Sequence, residues 1–395
     1  MSHPPTASTG LSRRSFLKTT AATAAVVGLG TNFAFAEGSS KLRVGLIGCG
    51  GRGTGAAQDC CLTNDNIALV AMGDVFADHM DAAKNKLKEA LGEKYAVKDD
   101  NAFVGFDAYK KVIASDVDLV ILATPPGFRP VHIAAAVDAG KHVFAEKPVM
   151  TTRDGCQKML DLASAHPDRI VMINHELRYS KYFQKIKDLI DAGDIGEPQL
   201  VWCKEFRGPF LKKVGDWIQD SRYSGGCLVD KNCHHFDLMN WWINSRPVRV
   251  CGFGGNDVVR VVNNPHEVID HASVSFEYAS GVRGGLLLSM FAPKTGEDLE
   301  MGVIGAQGMI QTKMSRDEIN HWKRNSDKPD PIVYHLPGRK VGWGAHHGFI
   351  EAHDVFFRAI ADGSRPLTDV RNCIDGTLLA LAAEEAIKTG KVVEV

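Results

Sequence analysis

The sequence predicts an α/β protein with a doubly wound parallel sheet first and a second α/β unit with a large, open, mainly antiparallel sheet after it. Three observations carry that prediction. The first half alternates short runs of Val, Ile and Leu with longer helical patterns. A glycine cluster, Gly48-x-Gly50-x-x-Gly53, closes the first apolar run. Beyond Pro198 the strands lengthen, alternate in polarity and are joined by Gly and turn residues.

The chain opens with residues 1–36, which have the three parts of a cleavable export signal. Arg13 and Arg14 stand in "SRRSFLK", an apolar core spans 21–35, and Ala34-Phe35-Ala36 is a small-x-small cut site. Twin arginines followed by Ser-Phe-Leu-Lys resemble the signal for the pathway that exports folded proteins. The other reading is a membrane anchor, but the apolar core is shorter than the roughly 20 residues a spanning helix needs. We therefore expect a periplasmic or secreted protein with no membrane anchor once the signal is cleaved.

About 360 residues then remain, enough for two cores. Residues 37–173 hold the strand candidates "LRVGLIG", "IALVAMGD", "VDLVILATPP", "KHVFAEKP" and "RIVMINHE", with helical patterns at Ala77–Leu91 and 130–139 between them. Apolar strands separated by helices read as a parallel sheet covered on both faces. Residues 174–365 carry "QLVWCKEF", "ASVSFEY" and "VRGGLLLSMF", the longer alternating strands of the second unit. A last helical pattern at 372–388, within 366–395, is placed to return and brace the first unit.

A formal net charge of −1 leaves no global basic field, so nucleic acid and acidic lipid are not expected partners. Nine cysteines is an odd count without the regular spacing of a disulfide-stapled domain. Folding in a reducing cytosol before export accounts for free thiols, and a Cys227–Cys233 pair stays open as an alternative.

The glycine cluster gains meaning from its context. It follows a strand, opens a helix, and precedes Asp74 at the end of the next strand by about 20 residues. Gly48 permits the tight turn, Gly50 lets a pyrophosphate approach the backbone, and Gly53 lets helix and strand pack closely. The helix N-terminus offers free N–H groups to phosphates. Asp74 would accept hydrogen bonds from a ribose diol and repel a 2'-phosphate, which favours NAD over NADP. Gly48, Gly50, Arg52, Gly53 and Asp74 are thus the expected contacts to NAD in a Rossmann domain.

The segment "ATPPGFRPVHIAAAVDAGKHVFAEKPVM", then Arg178-Tyr179, then "SGGCLVDKNCHHFD" with its Gly-Gly and Asp-x-x-x-His-x-x-Asp spacing, resembles the Gfo/Idh/MocA oxidoreductase family over nearly all of the chain after the signal. The resemblance implies a Rossmann domain followed by an α/β domain with an open sheet, and redox at a sugar or polyol carbon. It also implies that Thr124, Pro125, Glu146, Lys147 and Asn174 line the nicotinamide side, and that Arg178, Tyr179 and His235 face the substrate. By family analogy the sheet faces pair copies of the chain into dimers or tetramers.

Oxidising a secondary alcohol needs a group that takes the hydroxyl proton while hydride leaves. Asp230 and His234 are four residues apart, so a regular helix puts them on one face, where the carboxylate could hold the imidazole's tautomer. Spacing leaves helix capping plus an ordinary buried histidine equally open; the family pattern points to catalysis. Carried over from the Glu-Lys-Pro motif, Lys147 would stabilise the developing alkoxide. Lys231 stands where the family often carries a small residue, which implies either a more anionic substrate or a salt bridge on the solvated side. His346 or His347 in "VGWGAHHGF" is a loop-borne substrate contact or a surface turn. Cys233-His234-His235 lacks paired metal-ligand spacing, so no metal is expected.

An exported nicotinamide enzyme must carry its cofactor out bound and return it to its starting state each cycle. Three functions fit: a carbohydrate or polyol oxidoreductase with tightly bound NAD, a redox-neutral NAD-dependent glycosidase of the same family, or a sugar-binding protein without turnover. The first is the expected one.

Overall fold

The computed structural model describes residues 41–259, 267–314, 317–333 and 347–395; the expected signal segment and His346 lie outside them. The first sheet is built by β1 (Leu42–Ile47), β2 (Ile67–Asp74), β3 (Ala102–Val104), β4 (Leu119–Leu122), β5 (His142–Glu146) and β6 (Val171–Asn174). Between them run α1 (Gly51–Thr63), α2 (Ala77–Leu91), α3 (Ala108–Ala114), α4 (Arg129–Asp138) and α5 (Arg153–Ala165). All six strands pair in parallel in the order β3-β2-β1-β4-β5-β6. Every residue of β4 and β6 is buried, which explains why these strands read as unbroken apolar runs. The strand order reverses between β1 and β4, and the crevice at their carboxyl ends is where such sheets take a nucleotide.

A second layer follows from α6 (Lys181–Asp191), β7 (Pro198–Phe206), α7 (Ser221–Ser224), α8 (Cys233–Ile243), β8 (Pro247–Gly255), β9 (His271–Tyr278) and β10 (Arg283–Ser289). It continues through β11 (Asp298–Gly305), β12 (Gly308–Lys313), β13 (Glu318–Lys323), β14 (Asp330–Val333), α9 (Phe349–Asp362), α10 (Val370–Thr389) and β15 (Val393–Glu394). The nine strands lie in the order β14-β13-β12-β11-β7-β10-β9-β8-β15, antiparallel except for the parallel pair β7–β10. One face packs Val201, Phe276, Leu286 and Met301 against Phe236, Met239 and Trp242 of α8. Alternation along the strands leaves the other face open, as the polarity pattern predicts.

Two helices tie the layers together. Although α9 falls within 174–365 by sequence, its Phe356 and Phe357 join Leu46 and Phe144 in the core under β1 and β5. The pattern at 372–388 becomes α10, capped by the Asp369 side chain, which accepts a hydrogen bond from the Arg371 backbone N–H. Its first turns, with Val370, Cys373 and Ile374, pack on β6 and α5. Further along, Leu379, Ala380 and Ala383 enter the core of the second sheet. All nine cysteines are free thiols, Cys227 and Cys233 included, so that possible pair is not formed. Among the described residues no helix is long and apolar enough to cross a membrane.

His353 of α9 is fully buried, with its ring stacked on Phe144 at 4.1 Å and neither ring nitrogen hydrogen-bonded. Burial, reinforced by the Arg52 charge, pushes the imidazole down to about 3. A histidine held neutral in the fold but titrating normally when unfolded stabilises the fold above its ordinary value near 6.5. That contribution is lost as the pH falls from there towards the folded value, because the unfolded chain binds the proton first. His353→Leu should therefore reduce the loss of unfolding free energy between pH 7 and pH 5 by about 2 kcal/mol, read by urea denaturation at the two pH values.

Candidate active site

The nucleotide crevice is shaped by close approaches that only glycine allows. Gly48 has φ +96, and a Cβ built on Gly53 would lie 1.8 Å from the Gly48 carbonyl oxygen. Space above Gly50 and Gly51 is open, so a pyrophosphate could settle on the N-terminus of α1. Asp74 supports this loop: its Oδ2 accepts the Cys49 N–H at 2.6 Å and its Oδ1 the Phe76 N–H at 2.8 Å. Each oxygen keeps a lone pair for a ribose hydroxyl. These residues fit a bound NAD.

Arg52 sits differently from its expected place at the cofactor. Its Nε donates to Glu146 Oε1 at 2.6 Å, and its guanidinium lies 4.2 Å from the centre of the Phe349 ring. Asn174 Nδ2 donates to the same Glu146 oxygen at 2.9 Å. Burial would raise the Glu146 carboxyl, but Arg52 and Asn174 outweigh it and hold it below its usual range. Thr124 pairs with His132 through Oγ1 at 3.1 Å and accepts Arg129 Nε at its carbonyl at 3.0 Å. Pro125 caps a single 3-10 turn, Pro126–Phe128, that leads into α4. Together these contacts fix the loops after β4 and β5.

Lys147 follows β5 directly, and the Lys147–Pro148 peptide bond is cis. Its Nζ donates to the backbone carbonyl of Asp230, across to the second layer. Burial alone would discharge the ammonium, yet Asp230, Glu176 and Glu146 more than compensate and raise it above its ordinary value. A charged lysine at this place can stabilise an alkoxide.

Asp230 and His234 lie on a segment with unusual geometry. Gly225 and Gly226 both have positive φ, +83 and +113, and Leu228–Asn232 forms a π-helical turn before α8. The N-terminal amides of that turn are met by a distant partner, Glu384 of α10, whose Oε1 accepts the Leu228 N–H at 2.7 Å. Burial under the glycine turn pushes the Glu384 carboxyl up to about 7. The π turn also corrects an expectation. Residues four apart no longer stack in it, and no ion pair joins Asp230 to His234 among the described residues; the carboxylate beside His234 is Glu176, with Oε2 at 3.4 Å from Nδ1. Burial, then the charge of Lys147, holds the His234 imidazole well below its ordinary value, hence neutral.

The remaining expected substrate contacts are placed elsewhere. Arg178 is buried and grips Asp237 with two bonds, Nε–Oδ2 at 2.7 Å and Nη2–Oδ1 at 2.6 Å, and it also donates to the Leu367 and Asn372 carbonyls. Tyr179 is buried too, with its hydroxyl 3.1 Å from Thr368 Oγ1. Both side chains turn inward rather than facing a substrate, because Arg178 finds Asp237 of α8 with the Leu367 and Asn372 carbonyls, and Tyr179 finds Thr368. His235 is likewise buried, with Nδ1 3.5 Å from Glu205 Oε2. Lys231 Nζ pairs with Glu205 Oε1 at 3.2 Å, a salt bridge to a buried carboxylate and not on the solvated side. Adjacent His234 and His235 thus point to two different carboxylates.

Sequence reasoning missed Glu176, Glu205 and Glu384. The first two carry no spacing signal, since each acts on residues far along the chain. Glu176 does stand in the run "NHELRY", whose polar side chains are buried together, an odd composition for a strand exit.

A Rossmann crevice opening onto a charged lysine and a neutral imidazole defines a NAD-binding oxidoreductase. Residues 42–175 match the oxidoreductase family with the NAD-binding Rossmann fold, and residues 183–311 match the GFO/IDH/MocA C-terminal domain. The chain belongs to the Gfo/Idh/MocA family. Residues 10–30 match the twin-arginine translocation signal. The inositol 2-dehydrogenase of Burkholderia lata is 27% identical over 363 residues, 89% of this chain and 94% of that one. In fold, the scyllo-inositol dehydrogenase of Lactobacillus casei with bound NAD(H) and scyllo-inositol matches with a TM-score of 0.71 at 20% identity, covering 90% of this chain and 99% of that chain. The aldose-aldose oxidoreductase of Caulobacter crescentus complexed with glycerol also matches with a TM-score of 0.71, at 19% identity over 90% of this chain and 100% of that chain.

Removing Arg178 leaves the buried Asp237 carboxylate without its partner. Arg178→Ala should cost about 3–5 kcal/mol of unfolding free energy by urea denaturation. Its affinity for NAD, measured by calorimetry, should stay within about twofold of the parent at a temperature where both are folded.

Proposed function

We propose that this protein is an exported polyol or sugar dehydrogenase that oxidises a secondary hydroxyl, with Lys147 and His234 acting on the hydroxyl oxygen and its proton. The observation that carries this reading is geometric: Lys147, at the carboxyl end of β5, donates through Nζ to the Asp230 carbonyl on the π turn that runs into the first turn of α8, where His234 stands; the surroundings raise the ammonium and lower the imidazole. The ammonium orients the hydroxyl and stabilises negative charge as it grows on oxygen. The neutral imidazole accepts the hydroxyl proton. NAD, when bound, supplies the hydride acceptor. Asp230 presents its carbonyl to Lys147 and its charge keeps the ammonium protonated. The inositol 2-dehydrogenase relative supports a polyol as the substrate class.

The twin-arginine signal supports one further feature, export of the folded protein with NAD already bound, and we place the protein in the periplasm or outside the cell. The domain limits we propose are 37–173 for the cofactor half and 174–365 for the substrate half, with 366–395 bridging both.

The test is to purify the protein lacking its signal without added nucleotide, denature it and quantify released NAD(H), then assay NADH formation on myo-inositol and on aldoses. Near-stoichiometric NAD supports the carried cofactor; an empty protein overturns it. Lys147→Ala should lower kcat/KM by about a thousandfold or more, while NAD content stays at the parental level. Undiminished turnover in that variant would remove the lysine from the mechanism.

A further inference from the structure

The π turn that offers its Asp230 carbonyl to Lys147 is held at both ends by carboxylates of other elements. At its end, Glu205 of β7 takes Lys231 Nζ at 3.2 Å on Oε1 and Asn232 Nδ2 at 3.0 Å on Oε2. At its start, Glu384 of α10 takes the Leu228 N–H at 2.7 Å on Oε1, and its carboxylate also accepts the Cys227 N–H. A lysine beside a buried carboxylate explains the Glu205 end. The Glu384 end has no cation to explain it.

Among the described residues no lysine or arginine pairs with Glu384; Arg153 of α5 goes to the next residue, Glu385, at 3.7 Å. Burial outweighs the two amide bonds and pushes the carboxyl up to about 7, so in its ionised form the group opposes the fold. Yet Gly226 is shaped around it: a Cβ there would lie 2.5 Å from both Cδ and Oε1 of Glu384. The group gives the fold little and gives the start of the turn two bonds.

Resting on the reading that Lys147 stabilises the growing alkoxide, we propose that Glu384 is a positioning residue for that reaction: it holds the start of the π turn so that the Asp230 carbonyl meets Lys147 Nζ. A π turn carries one residue more than an α turn and persists where its surroundings over-determine it. With both ends fixed, the carbonyl of Asp230, the third of the five residues, has one place to lie, opposite the lysine. Freed at its start, the segment can pass its extra residue back into the glycine loop and take the α register of α8. The carbonyl then leaves Nζ, and the ammonium loses the first of the charges that oppose its burial.

Lys147 reports on that change because its surroundings come from several elements. Asp230 and Cys233 face it from the turn and α8, Glu176 from the turn after β6, and Glu146 from β5. The imidazoles of His175, His234 and His235 face it as well. Only the Asp230 contact runs through the turn that Glu384 holds at its start.

The test uses the full chain lacking its signal, loaded with NAD, at pH 8 with myo-inositol as the probe. Glu384→Gln keeps one acceptor for the amides and no charge, and Glu384→Ala keeps neither. We expect kcat to fall about tenfold in the glutamine variant and about a hundredfold in the alanine variant, with KM and NAD content within about threefold of the parent. The folded carboxyl titrates above its unfolded value, so the parent gains stability as the pH falls through 7 and loses it above. Relative to its value at pH 5, the urea midpoint at pH 8 should therefore be higher in Glu384→Gln than in the parent. A group that only supports the fold gives the reverse, a lower midpoint with parental kcat per folded molecule, and that result overturns the positioning role. One readout is free of the substrate: the 13Cε NMR titration of Lys147 should move its midpoint down by about one unit in the alanine variant. An unmoved midpoint overturns the role even where myo-inositol is not turned over, whereas a parent without turnover counts against the polyol reading alone. If the alanine variant does not fold, the glutamine variant decides, and parental kcat with a parental Lys147 midpoint in it overturns the role.

Discussion

The link from Lys147 Nζ to the Asp230 carbonyl joins the end of the parallel sheet to the π turn of the second layer. The charge on the lysine strengthens it, in a place where burial opposes charge. Three carboxylates, Asp230, Glu176 and Glu146, supply the opposing field, and each is itself held by a different element. Glu146 is fixed by Arg52 and Asn174, Glu176 by the turn after β6, and Asp230 by the glycine turn that Glu384 caps. The ammonium is therefore the point on which both layers must agree, and a shift in either would strand a buried charge.

The same field explains the paired states of the site. Burial, and then the Lys147 and Lys231 charges, keeps His234 neutral, while carboxylates around Lys147 keep it charged against its own burial. In the proposed reaction these two states are the two roles needed at one hydroxyl, a charged group for the oxygen and a neutral base for its proton. The inward Arg178–Asp237 pair serves stability instead: its two short bonds lie in the interior and hold α10 against the turn that delivers Glu176.

Much of the fold is legible in the sequence because its signals are local. Apolar runs buried on both faces, the glycine cluster before α1 and the polarity alternation after Pro198 each follow from short-range geometry. The helix predicted at 372–388 forms over Val370–Thr389 for the same reason. The side-chain geometry of the site is less legible, because direction is a tertiary property. Arg178 and Tyr179 stand in a motif that resembles a substrate-facing one, yet their partners at Asp237 and Thr368 lie 59 and 189 residues away and turn them inward. Asp230 and His234 look like one face of a helix until the π turn rotates them apart. No periodicity announces that Glu176 will stand between His234 and His347, 171 residues from the latter.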